Sequence, residues 1–309
     1  MKNDFLLFII ILSFSACTGR ETNYWLEQAE SHLNNKPDST LILLRKINNP
    51  DKLANYPKAK YNLYHTVAEI QKGTRIRTDS LISEAIDIFI ANNDSVNTSK
   101  ACFWAGLINM NADNYVRADF FFVRGIPFAP DATLRTRLYE YSGISLLSNG
   151  KPEQALQQHL QSLQDTAFIS IPGKAAVLAD IGQAYRYTGQ PDSAIIYYQK
   201  AILKSVEAGS TEQTAFFYEK ISDIEKEKGD IESATTALKS AIDFGYRRTS
   251  YPYHMLAQAQ IYIAAGEIDS AGIYLKNAIQ STNPYIATRA YQLQAHLYEQ
   301  GNKAEQIYY

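Results

Sequence analysis

Two histidine–carboxylate pairs stand at a spacing that places both groups on one helix face: His65 with Glu69, and His296 with Glu299. Such a pair could start a metal site, but a site of that kind needs three or four ligands, and neither pair has an evident third nearby. The other histidines, His32, His159 and His254, fall in separate segments. Glu225 and Glu227 belong to Ile224-Glu225-Lys226-Glu227-Lys228, a mixed-charge helix end that reads as a solvated face, not an acid–base dyad. There is no phosphate-binding glycine loop, nucleophile elbow or H-E-x-x-H. Cys102 sits on a predicted helix, where core packing is its expected role. The sequence therefore points to no catalytic residue, no metal and no cofactor, and to a protein that is not an enzyme.

The order in this chain lies in a packing frame. Small residues at Gly106, Gly143, Gly182, Ser222 and Ala259 recur at intervals of 37, 39, 40 and 37. In the clearest copy Gly182 is followed by Tyr185 at the third position, Gly189 at the seventh, Ala194 at the twelfth and Ala201 at the nineteenth. Gly150, Gly229 and Gly266 repeat the turn glycine, and Asp113 replaces it in the first copy. Small residues on two antiparallel helices let the backbones approach, and the glycine supplies the left-handed residue that ends the first helix. Lys151-Pro152-Glu153 and Gln190-Pro191-Asp192 then start the second helix, with proline in its first turn. A single hairpin cannot bury its apolar face, so neighbours must stack.

This frame resembles the tetratricopeptide repeat (TPR), whose usual period is about 34 residues. The resemblance covers residues 99–280 and implies an all-α, right-handed α-solenoid of about seven to eight helix hairpins. Residues 24–95 read as two divergent hairpins, one hinged at Lys36-Pro37-Asp38-Ser39 and the other around Gly73. From Pro284 an incomplete terminal repeat over 284–309 starts with Tyr291, Leu293, Leu297 and a turn at Gly301.

In solenoids of this resemblance the first helices line the concave face. Projection of that stripe gives Lys100, Phe103 and Leu107; Arg137, Glu140 and Ile144; Gln183 and Arg186; Phe216, Glu219 and Asp223; Tyr253 and Gln260; Tyr291 and Tyr298. Aromatics mixed with both charge signs suit a protein or peptide segment. Phe103, Phe216 and Tyr253 have a second reading, as packing between adjacent repeats. The lysine–asparagine–arginine clamp with which some such repeats hold a terminal carboxylate is missing, since Phe103, Glu140, Ala179, Glu219 and Leu256 occupy its first position.

At the amino terminus, Phe5 to Leu12 is an apolar run too short to span a bilayer, which takes about 20 residues. Ser15-Ala16-Cys17 resembles a bacterial lipoprotein cleavage site, although Phe14 stands where leucine is usual and Asp4 dilutes the positive start. The resemblance implies a signal peptide over 1–16, lipidation at Cys17, a polar tether over 17–23 and a repeat domain over 24–309. The expected location is a membrane-anchored lipoprotein, on the outer membrane facing the periplasm. A net charge of −2 over 309 residues gives no basic stripe for nucleic acid.

The segments Trp25-Leu26-Glu27-Gln28-Ala29-Glu30 and Lys36-Pro37-Asp38-Ser39-Thr40-Leu41 resemble a repeat-protein group of Bacteroidetes, some members of which are regulators with periplasmic repeat arrays. The leading expectation is a non-enzymatic, membrane-tethered scaffold that binds a protein or peptide through its concave face. Alternatives are the sensor part of a membrane-linked transcriptional regulator and a glycan-uptake accessory lipoprotein.

Overall fold

The computed structural model describes residues 19–164, 170–245 and 251–307, so Cys17 and the apolar run before it lie outside the described residues. Every regular element among them is helical, and the chain divides into two compact units at 168/169. The first unit pairs α1 (19–32) with α2 (Pro37–Leu44), α3 (Asn55–Gln71) with α4 (Ser80–Ala91), α5 (Ser95–Asn111) with α6 (Tyr115–Gly125), and α7 (Ala132–Ser148) with α8 (Pro152–Gln164). The second pairs α9 (Ile171–Tyr187) with α10 (Pro191–Glu207), α11 (Thr211–Lys228) with α12 (Ile231–Gly245), and α13 (Tyr251–Ala264) with α14 (Ile268–Ile279), then adds α15 (Pro284–Ile307). Within each unit a second helix packs on the first helix of the next hairpin, as α4 does on α5 and α10 on α11. Each unit is thus a helical-repeat solenoid segment.

The local signals act as their chemistry requires. Backbone φ is +74° at Gly189 and +84° at Gly229, and Asp113 takes the same left-handed region at +57°. Pro152 and Pro191 open α8 and α10. Asp94 and Asp131 cap α5 and α7, accepting the N–H of Asn97 at 3.0 Å and of Leu134 at 2.8 Å. Two expectations fail. Residues 19–23, expected as tether, already belong to α1. Gly301 makes no turn, because α15 runs unbroken to Ile307. No proline follows Gly301 to stop a helix already propagating through it.

In the five hairpins from α5 to α14 the small residue is matched by a ring or leucine sixteen positions later. A Cβ on Gly106 would overlap the Phe122 ring, and one on Gly143 would overlap the His159 ring. At Gly182 it would lie 3.1 Å from the Tyr198 ring. Where the origin is larger, at Ser222 and Ala259, the partner is a leucine, Leu238 or Leu275, each buried. Origin and partner trade volume, as close packing between two helices requires. Cys102 is buried in this core next to Gly125, and burial pushes its thiol up to about 12.

Candidate partner-binding surface

All fifteen projected groove residues lie on first helices or on α15. Counted back from the small residue, position −6 holds Lys100, Arg137, Phe216 and Tyr253, of which Arg137, Phe216 and Tyr253 are exposed and Lys100 is half-buried. Position −3 holds Phe103, Glu140, Glu219 and Leu256, and it points inward. Phe103 is only 2 % exposed, which corrects its assignment to an open stripe. Its ring sits edge-on to Trp104 and Tyr141 and tilted against Phe122, as the packing reading expected. Position +1 (Leu107, Ile144, Gln183, Asp223, Gln260) is half-buried throughout.

In the first unit Lys100, Phe103 and Arg137 converge on one cavity of about 270 Å³, whose wall also includes Leu63, Val67 and Trp104. First helices α3, α5 and α7 supply these side chains. The Arg137 guanidinium lies 4.3 Å from the Phe103 ring centroid, a cation–π contact. Lys100 Nζ is 3.3 Å from Glu30 on α1, and Lys60 reaches the same carboxylate at 4.0 Å. Burial pushes the Glu140 carboxyl above its usual range, against the opposing pull of Arg137. The mouth of the cavity therefore combines indole, aliphatic wall and two cations.

The second unit carries a different set. Arg186 donates to Glu227 through Nε at 3.1 Å and through Nη2 as well, tying α9 to α11. His254 Nε2 lies 2.9 Å from Glu219 Oε1, which joins α13 to α11. Tyr253, with its hydroxyl held above the usual value by burial and then by Glu219 and Asp223, stands half-exposed beside them. Lys220 covers Phe216 at 4.8 Å, and Asp223 pairs with Lys226 at 3.2 Å. Gln183 and Gln260 are half-buried, and Tyr291 and Tyr298 project from α15.

The sequence reading missed Glu30, Lys60, Trp104 and His254. Glu30 and Lys60 belong to hairpins whose frame is too divergent to give a register, whereas Trp104 sits one residue off the projected stripe. His254 neighbours Tyr253, and its pairing with Glu219 spans 35 residues, which no local pattern reports. Among the described residues no group of three or more histidine, cysteine or acidic side chains is placed to hold a metal ion. His65 stacks on Tyr61, and Glu69 accepts from Thr74 Oγ1 at 2.6 Å. No described helix is long and apolar enough to cross a membrane.

The family profile described as "Tetratricopeptide repeat" matches residues 175–203, which span most of α9 and most of α10. No curated protein matches the chain in sequence. Among solved structures, the apo form of the quorum sensor NprR from B. thuringiensis is 15% identical, with a TM-score of 0.60 over 93% of this chain and 82% of its own. NprR in complex with its cognate peptide NprX gives 14%, 0.54, 92% and 86%, and Pseudomonas aeruginosa PilF gives 15%, 0.55, 77% and 97%. At such identities the likeness is one of fold. The chain thus carries a tetratricopeptide repeat within a helical-repeat solenoid.

Proposed function

We propose that this protein is a non-enzymatic scaffold whose first-helix surface holds a peptide or protein segment, and that Cys17 tethers it to a membrane. The carrying observation is the cavity of about 270 Å³ where α5 and α7 present Trp104, Lys100 and Arg137 together, against Leu63 and Val67 of α3. An apolar side chain of a bound segment would lie against the indole, and its backbone carbonyls or a carboxylate would take donors from the cations. Each charge-assisted bond of this kind contributes about 1.5–3 kcal/mol. A solenoid of similar fold is known with a peptide bound, the NprR–NprX complex, and this supports the peptide reading.

A photo-cross-linking side chain at Thr133, on the cavity rim, should capture a partner in cells. The same group at Lys151, at the start of α8, should not. Arg137→Glu should abolish the Thr133 adduct. Equal capture at both sites, or indifference to Arg137→Glu, would reject the first-helix site. The tether is tested separately: Cys17→Ser should move the protein from the membrane pellet to the soluble fraction, and unchanged pelleting would count against lipidation.

A further inference from the structure

We propose that a groove on the second-helix side of the second unit receives helix α6 of another copy of this chain. The groove uses faces that the first-helix site does not, so the two readings stand or fall separately. It runs between α10 and α12 over α11 and encloses about 550 Å³. Ile195, Ile202, Ile221 and Tyr218 line its apolar part, and Leu203 on the rim is 69 % exposed. Ile196 and Val206, each half-exposed, extend the apolar rim along α10. Glu225 and Glu232 are its charged lining residues, and no lysine or arginine lines it. Lys228, outside the lining, reaches Glu225 at 3.1 Å but is shared with Asp192 at 2.9 Å.

Such a groove fits an amphipathic helix with apolar anchors one and two turns apart and basic residues beside them. Helix α6 has that design. Val116, Phe120 and Val123 stand at i, i+4 and i+7 and are 63, 54 and 43 % exposed. Arg117 and Arg124 flank the stripe. Among the described residues Arg124 pairs with Asp87, at 2.7 Å, and that carboxylate is itself 71 % exposed. An exposed pair of this kind contributes little, and a guanidinium has donors left for a second carboxylate. Apolar stripe meets apolar groove, and Arg124 meets a glutamate, whereas Arg117 stays tied to Asp79 at 2.6 and 3.3 Å. The glutamates also disfavour an anionic lipid surface as occupant. Because donor helix and acceptor groove are different surfaces, the contact is heterologous and each copy can both give and receive.

The test is the mass of the full chain in solution, by sedimentation or light scattering between roughly 1 and 100 µM. The wild-type chain should associate as concentration rises. Phe120→Glu removes the donor and Leu203→Glu the acceptor. Both sites are exposed, so helical circular dichroism should be unchanged and each variant alone should be monomeric. Mixed in equal amounts they should give a 1:1 dimer and nothing larger, since only one intact donor meets one intact acceptor. Val116→Glu and Thr236→Glu are second variants of each surface and should reproduce the pattern. Glu232→Lys should weaken association about tenfold. A wild-type chain that stays monomeric, a variant that keeps the wild-type mass, or a mixture that stays monomeric would each overturn the proposal.

Discussion

His159 should make the fourth hairpin of the first unit sensitive to acid. Its imidazole fills the place taken by Phe122 and Tyr198 in the neighbouring copies, packed against Gly143. Neither ring nitrogen has a hydrogen-bond partner among the described residues, and burial alone pushes the group down to about 4 from an ordinary 6.5. The folded chain thus keeps the ring neutral where the unfolded chain protonates it. Stability is unaffected above about pH 6.5 and is lost as pH falls from there to about 4, by roughly 1.4 kcal/mol per unit and about 3 kcal/mol in all. His159→Phe, which installs the ring of the Phe122 position, removes both the titration and the two unpaired nitrogens. At pH 7.5 the variant should be more stable by about 1–3 kcal/mol, and by pH 4.5 the gap should have widened by a further ~3 kcal/mol. Native-state hydrogen exchange in α7 and α8, measured at several pH values, reads this hairpin without assuming that the whole array unfolds in one step. Other titrating groups are common to both proteins and cancel in the difference. A gap that does not change between pH 7.5 and 4.5 would show that the ring is solvated or paired, and would refute the reasoning.

Two further perturbations probe the packing. Gly143→Ala should cost about 1–3 kcal/mol, because the new Cβ overlaps the His159 ring, and His159→Leu added to it should recover most of the loss by copying the Ala259 and Leu275 pair; a neutral Gly143→Ala in thermal melts would sink the volume exchange. Asp79 accepts from Arg117 Nε at 2.6 Å and from Asn109 at 2.7 Å, and these bonds outweigh burial and hold its carboxyl below the ordinary value. Asp79→Asn should therefore lower the stability of the first unit at pH 7 by about 1–2 kcal/mol, in the lower part of the range because Arg117 is half-exposed. Since the stabilisation exists above the ordinary carboxylate value and is lost as pH falls through the lower folded one, wild type and variant should converge in strong acid, as denaturant titrations would show.

The fold was legible because packing in a repeat is a local constraint written many times. The turn residue at the seventh position and the proline starts fix each hairpin from within about twenty residues, and Asp113 shows that the constraint is on backbone conformation, since a non-glycine there still adopts φ +57°. The partner at the sixteenth position was equally periodic in sequence, as Phe122, His159, Tyr198, Leu238 and Leu275. It escaped notice because its residue type changes: what is conserved between copies is the combined volume of the pair, and volume exchange does not register as a repeated letter. The end of the chain misled for the opposite reason. Gly301 carries the right letter, but with no proline or cap behind it, continuing the helix costs only the modest glycine penalty of about 1 kcal/mol.

The candidate site was less legible because a helix face is continuous, and a stripe three residues wide crosses from solvent into core. Position −6 is the outward column, with Arg137, Phe216 and Tyr253 exposed and Lys100 half-buried against Glu30. Position −3 is inward, and its chemistry divides by size and charge: Phe103 and Leu256 complete the core, whereas Glu140 and Glu219 need a local answer for a carboxylate in a half-buried place. Glu140 answers by a raised pKa with Arg137 opposing it, and Glu219 by recruiting His254. On the proposed function, a bound cation would be drawn to Glu219 and a bound carboxylate to Arg137 and Lys100. Under the proposed function, the charge a partner meets in each unit depends on which inward residue failed to be apolar. This is decided between repeats, from hairpins that no single repeat's sequence describes.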